Sequence, residues 1–316
     1  MEKPRPGNGE VLVRMLAAPV NPSDLMFVRG HYTIPAQCPA TPGFEGVGIV
    51  EQSGGGLRGM LFTGKRVVVL NKRGGNWAEY AVVPSNQVIP VSSQLSLEQA
   101  ATFFVNPATA WVMTREVLRV PQGQWLLQTA AGSALGRMII RLGKSCGFRT
   151  LNVVRREAVA DELRRIGADH VEVFDGSDSE TERLLQSVHR IVGPQGVLYA
   201  VDAVGGSTGS AVVRSLGDGG RMLAFGTLSG QPLQFSPRTL MTVSSRVEGF
   251  WLGHFMNHTS LLFKLRLVRR LTKLIQLGVL SSEIAAEFSM DQIASAARSA
   301  EDSSWSGKTL LRIAQP

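Results

Sequence analysis

Cysteine is nearly absent: the 316 residues hold only Cys38 and Cys146. Two thiols can build neither a four-thiolate zinc lobe nor the disulfide framework of a secreted domain, so a reducing compartment is the default. Tyrosine is rarer than tryptophan, three against five. Long hydrophobic runs are missing too: the longest, around Ala100 to Met113, is broken by Asn106-Pro107 and is too short to span a membrane. The opening MEKPRPGNGE has no apolar core and no Arg/Ser-rich amphipathic stretch. No secretory or organellar signal is therefore visible, and a cytoplasmic address is expected, or a mitochondrial one if the N-terminus is incomplete. Acidic residues are outnumbered, 25 against 33 Lys and Arg, for a net charge of +8. The basic residues are mostly arginines placed singly or in pairs, without runs of like charge. That pattern suits anionic small molecules rather than nucleic acid.

What is present centres on residues 125–156, WLLQTAAGSALGRMIIRLGKSCGFRTLNVVRR. It reads as an apolar strand, a turn of tiny residues, an amphipathic helix and a second strand ending on two arginines. Tiny residues let the backbone approach a pyrophosphate at a helix N-terminus. Ala131, Ser133 and Gly136 hold the places of a G-x-G-x-x-G, a weak match taken alone. The strand end is more informative. An acidic residue there would hold a ribose 2′-hydroxyl, whereas Arg155 and Arg156 suit a 2′-phosphate. The segment predicts NADPH.

Context supports the motif. Residues 10–100 are β-rich and punctuated by Gly and Pro; helical spacing begins near Leu97 and runs through NPATAWVMTREVL. From Trp125 onward strands and helices alternate through GRMLAFGTLSG, as a doubly wound sheet requires. The rhythm stops near residue 248. Residues 260–277 follow as a basic amphipathic helix, read as a capping helix with a solvated face rather than a membrane-surface element. A strand, a short helix and a closing strand around Lys308 complete the chain.

NPSDL at 21–25, GFEGVGIVE at 43–51 and NPATAW at 106–111 make the whole chain resemble the medium-chain dehydrogenase/reductase superfamily. The resemblance implies an α/β fold: a Rossmann doubly wound parallel sheet over 102–247, inserted in a GroES-like β-rich catalytic domain made of 1–101 and 248–316. Zinc-dependent branches carry a cysteine at the place of Asn21 and Gly-His-Glu at the place of Gly43-Phe44-Glu45. A phenylalanine cannot ligate zinc and an amide is a poor substitute for a thiolate, so no metal is expected. Asp24 and Glu45 are then remnants of the metal surroundings that should make local hydrogen bonds.

Within the zinc-free members, NPSDLMFVRGHY, the turn GSALG, the strand end LNVVRR and GFWLGHF are similar to the 2-enoyl thioester reductases. The zeta-crystallin-type quinone oxidoreductases share only part of this set. The resemblance implies that Tyr32 is the proton donor and that Trp251 lines the acyl pocket. Cofactor contacts are implied for Asn21, Asn106, Thr109, Gly132, Ser133, Ala134, Leu135, Arg155 and Arg156. They are implied as well for Phe225, Gly226, Thr227, Leu228, Phe250, Leu252 and Lys308. On sequence alone Trp251 would sooner be core, since aromatic clusters usually pack. His254 and His258 have the spacing of a metal pair but no acidic or thiolate partner nearby, so structural roles are expected.

Two departures stand out. Glu157 follows the arginine pair and would be unfavourable beside a phosphate. The chain also starts late against the family pattern, without its first β-hairpin, as either a trimmed lobe or an internal start. The activity implied is NADPH-dependent reduction of an activated C=C bond in a trans-2-enoyl thioester, without zinc. NADPH:quinone reduction and non-catalytic NADPH binding are the alternatives. The expected partners are a small-molecule enoyl thioester or quinone and a second copy in a homodimer, with no nucleic acid or membrane.

Overall fold

The computed structural model describes residues 3–301 and 307–314. Its strands are β1 (Glu10–Pro19), β2 (Glu45–Ser53), β3 (Arg66–Leu70), β4 (Tyr80–Pro84), β5 (Val88–Pro90), β6 (Trp125–Gln128), β7 (Arg149–Val154), β8 (His170–Val173), β9 (Val197–Asp202), β10 (Leu216–Ala224), β11 (Arg246–Gly249), β12 (Ile284–Ser289) and β13 (Lys308–Arg312). The chain forms two compact units, one of residues 1–105 with 281–316, the other of residues 106–280.

The first unit is built on a sheet ordered β12-β13-β1-β2-β3-β5, with β4 also paired to β1. Alternating Val and Met residues explain it: Val11, Val13 and Met15 of β1 meet Val50, Val67, Val69 and Val83 in one buried cluster. The closing strand β13 pairs with β1 and β12, which places Lys308 in a sheet interior.

The second unit holds six parallel strands ordered β11-β10-β9-β6-β7-β8. Counted along the chain from β6 this is the order 3-2-1-4-5-6 of a dinucleotide-binding sheet, and the order reverses between β6 and β9. Its central strands are apolar on both faces because helices cover both: Leu127, Leu151, Val197 and Ala200 join Val188 of the helix Asp178–Val192 and Val212 of the helix Gly206–Arg214 in one core.

The structure alters two expectations. The alternation continues past GRMLAFGTLSG into a sixth strand, β11, whose four residues RVEG are too short and too polar to read as a strand. The second boundary accordingly lies at 280/281 rather than 247/248, so 248–280 belong with the parallel sheet. The basic helix, Leu261–Gln276, turns Leu267, Leu271, Leu274 and Ile275 inward and leaves Arg266, Arg269, Arg270 and Lys273 exposed, a capping helix with a solvated face. No helix among the described residues is long and apolar enough to cross a membrane.

Candidate active site

In the parallel-sheet unit the site is the turn after β6, where the strand order reverses. The strand ends at Gln128 because the backbone turns at Ala130, which adopts φ 48°, a left-handed conformation uncommon outside glycine. Ala131 stays tied to the next strand through its N–H to the Val153 carbonyl, 3.2 Å. Ser133 then caps the helix Ala134–Cys146, its Oγ accepting from the Gly136 N–H at 3.1 Å. The first-turn N–H groups of Ala134 and Leu135 have no carbonyl within the helix to bond, and so point outward as anion donors.

Both glycines of the turn serve close packing. A Cβ on Gly136 would fall on the Ala131 carbonyl, and one on Gly132 would lie 2.6 Å from Val159 Cγ1. This cradle fits a pyrophosphate, since only a bare backbone can come so near both strand and ligand.

β7 delivers the arginines. Arg155 and Arg156 follow its last residue and are exposed, and Arg156 is the N-cap of the helix Glu157–Ile166. Arg155 makes no ion pair among the described residues. Glu157 turns along its own helix to Arg164, 3.2 Å away, an arginine also held by Asp161 at 2.7 Å.

The neighbouring strand ends are stitched to one another. Phe225 N–H donates to the Asp202 carbonyl (2.9 Å), Leu228 N–H to that of Ala203 (3.0 Å), and Phe250 N–H to that of Ala224 (2.8 Å). Gly226 is required here, because a Cβ would lie 2.7 Å from the Ala203 oxygen. Thr227 completes this loop, and Leu252 opens the helix Leu252–Asn257. Trp251 is 43% exposed at the N-cap of that helix, which is not the burial of a core residue. The rings of His254 and His258 lie 4.3 Å apart, tilted by 40°, and the Nδ1 of the latter meets the His254 carbonyl. The helix Val105–Trp111 carries Asn106, half-buried, and Thr109, buried.

Sequence reasoning missed one pair at this turn. Asp202, at the end of β9, accepts from Thr129 Oγ1 at 2.5 Å and from the N–H groups of Val204 and Gly205 at 3.1 and 2.9 Å. It ties β6 to β9 where the order reverses. The signal was the aspartate before a Gly-Gly turn in VDAVGG.

In the other unit four polar side chains share a buried cluster: Asn21, Asp24, Glu45 and Lys308. Asp24 accepts from the N–H groups of Asn21 (2.8 Å) and Phe44 (2.9 Å). Glu45 accepts from those of Phe104 (2.6 Å) and Val105 (2.8 Å), and from Asn21 Nδ2 at 3.4 Å. Lys308 Nζ donates to Asn21 Oδ1. Burial dominates the titration of all three ionisable groups: it pushes Asp24 up to about 7, raises Glu45 and lowers Lys308. Tyr32 is half-buried beside this cluster, its ring centroid 5.0 Å from that of Phe44, which also meets Phe27 edge-on at 5.3 Å.

Asn21 and Lys308, expected as cofactor contacts, are bonded to each other and only 2% and 6% exposed. Lys308 is the cationic side chain beside the two buried carboxyl groups, which it draws toward their charged form while burial opposes it.

The comparisons with known proteins follow this division. Residues 7–93 match the family described as Alcohol dehydrogenase GroES-like domain, and residues 134–265 match Zinc-binding dehydrogenase. The mitochondrial enoyl-[acyl-carrier-protein] reductase of Bos taurus is 33% identical over 312 residues, covering 97% of this chain and 82% of its own. The chain belongs to the medium-chain dehydrogenase/reductase superfamily. Among solved members, a putative NADPH:quinone reductase from Bacillus thuringiensis aligns with TM-score 0.88 at 29% identity, covering 98% of this chain and 92% of that one. A mycobacterial protein complexed with NADPH gives 0.88 at 26%, covering 99% and 94%.

One matched family is described as zinc-binding, and this member does not fit the metal. Phe44 brings only carbon and the Asn21 oxygen is taken by an ammonium. No three His, Cys, Asp or Glu side chains gather into a metal site among the described residues.

Proposed function

We propose that this chain is an NADPH-dependent reductase of trans-2-enoyl thioesters that works without zinc. The observation that carries the cofactor choice is the exposed arginine pair at the end of β7, with Glu157 drawn away to Arg164. A guanidinium recognises a phosphate through paired N–H donors, and the neighbouring carboxylate that would repel it is neutralised. The acceptor class rests on the enoyl reductase name carried by the Bos taurus relative over nearly the whole chain.

Bound NADPH supplies the hydride that adds to the β-carbon of the enoyl thioester. The chain's residues do the rest. Gly132, Ser133, Ala134 and Leu135 receive the pyrophosphate, and Arg155 and Arg156 the 2′-phosphate. Asn106, Thr109, the segment Phe225–Gly226–Thr227–Leu228, Phe250 and Leu252 orient the nicotinamide end. Trp251 lines the acyl pocket. Tyr32 donates its phenolic proton to the α-carbon; a phenol keeps that proton near neutral pH and gives it up without first carrying charge. Half-burial against Phe44 limits how far the ring can wander.

The solved Bacillus thuringiensis neighbour, named a quinone reductase, favours a second reading in which the acceptor is a quinone. Oxidation of NADPH with crotonyl-CoA against 1,4-benzoquinone separates the two. The first reading expects the higher kcat/KM with crotonyl-CoA; a preference for benzoquinone selects the second, and no turnover with either leaves an NADPH-binding protein. The reading includes a homodimer, which light scattering on the full chain would test.

A further inference from the structure

Arg137 follows the turn glycine Gly136 directly, yet its side chain is turned inward and the residue is only 4% exposed. A guanidinium is costly to bury unless its donors are met. Nε donates to the Gly132 carbonyl at 3.1 Å, and Nη2 pairs with the carboxylate of Glu162 on the helix Glu157–Ile166. The first bond acts on the nucleotide turn. The peptide joining Gly132 to Ser133 is held at both ends, its oxygen by Arg137 and its N–H by the Ala130 carbonyl at 2.9 Å. That peptide is thereby kept from rotating to aim a carbonyl oxygen at the pyrophosphate, which would repel it. The second bond crosses to the helix that begins at Arg156, whose carbonyl accepts from the N–H groups of Val159 and Ala160 at 3.2 and 3.3 Å. Val159 of the same helix lies against Gly132. One guanidinium, carried by the helix Ala134–Cys146, therefore clamps the turn after β6 to the helix after β7.

We propose that Arg137 is a positioning residue for NADPH selection: by bonding Gly132 and Glu162 at once, it sets the spacing between the pyrophosphate turn and the arginines that receive the 2′-phosphate. A ligand carrying both phosphates depends on that spacing. NADH, which has the pyrophosphate alone, does not. Stability by itself gives little reason for the pair, since apolar residues of like volume stabilise a buried site as well; what the planar fork adds is fixed geometry. The proposal rests on the reading of Arg155 and Arg156 as the 2′-phosphate site.

Fluorescence titration of the full chain with NADPH and with NADH tests it. Glutamine carries its amide nitrogen as many bonds from the backbone as arginine carries Nε, so R137Q can keep the bond to Gly132 while losing the link to Glu162. In R137Q, NADPH should bind about 10-fold more weakly and NADH less than about 2-fold more weakly, because only the spacing is lost. R137M loses both bonds and should weaken NADH as well, by about 3- to 10-fold. With Arg155 and Arg156 both replaced by Ala, adding R137Q should change NADPH affinity by less than about 2-fold, since no second phosphate site is left to be spaced. Equal weakening of the two nucleotides in R137Q would make Arg137 a structural residue or a direct pyrophosphate contact, and would overturn the proposal. Unchanged NADPH affinity would overturn it too. Should the Arg137 variants fail to fold, E162A cuts the same link from the more exposed partner, and the same preferential loss of NADPH is expected; equal or absent loss refutes the proposal. The R155A/R156A variant by itself decides the underlying reading, since equal loss of both nucleotides there removes the 2′-phosphate site whatever Arg137 does.

Discussion

The carboxylate of Glu157 is paired with Arg164, two turns further along its own helix, and not with either arginine that precedes it. From the sequence Glu157 counted against a 2′-phosphate site, because it follows Arg155 and Arg156 directly. The helix places residue 164 on the same face as 157 and removes the objection. Replacing Arg155 and Arg156 together by Ala should therefore weaken NADPH by about 30-fold or more while NADH changes by less than about 3-fold, as expected for loss of charge-assisted contacts to one phosphate. Fluorescence titration with both nucleotides checks this, and equal loss for the two would remove the arginines from the site.

The glycines of the turn should differ in tolerance. G136A drives a Cβ into the Ala131 carbonyl, which the backbone cannot easily yield, whereas G132A meets only the end of the Val159 side chain. Urea unfolding should show G136A destabilised by about 1–3 kcal/mol and G132A by less. The reverse order would mean that the helix does not pack against the strand in this way.

The buried acids predict a pH dependence with a definite sign. Asp24 has its pKa pushed from 3.8 up to about 7 in the fold, chiefly by burial, and Glu45 is raised for the same reason. The folded chain therefore binds more protons than the unfolded one between about pH 4 and pH 7. Stability falls as pH rises through that window. Lys308, lowered by burial, acts in the opposite sense. Unfolding free energies from pH 5 to pH 8 should fall less steeply in D24N than in the wild type. Parallel slopes would show that Asp24 titrates normally.

Chelation should change nothing. Phe44 offers no donor and Asn21 is committed to Lys308, so dialysis against a chelator is expected to leave both Tm and NADPH oxidation as they were. A loss of either, restored by added zinc, would contradict the reading of the donor set.

Much of the fold was legible because its signals are periodic or punctuated. The apolar strand and amphipathic helix of 125–146, and Gly147 and Gly167 as left-handed helix ends, follow directly from side-chain spacing and glycine's freedom at φ 80° and 95°. β11 escaped because RVEG is held mainly by its parallel partner β10, to which Arg221 and Glu248 add an ion pair across the strands at 2.8 Å. The nucleotide turn could be read from tiny residues, and the arginine pair from its place at a strand end. The Lys308 cluster could not. Lys308 stands 287 residues from Asn21 in the chain, and only the sheet brings the two together. Motif resemblance made Lys308 a cofactor contact; that it also lies buried beside two carboxyl groups is a tertiary fact.

The central claim, that Tyr32 protonates an enoyl thioester reduced by NADPH, is tested most directly by steady-state reduction of crotonyl-CoA in wild type and Y32F. The account predicts NADPH-dependent turnover in the wild type and a fall in kcat of about 10²-fold or more in Y32F, with NADPH affinity retained. Turnover of crotonyl-CoA at the same rate in Y32F, or none in the wild type, would contradict it.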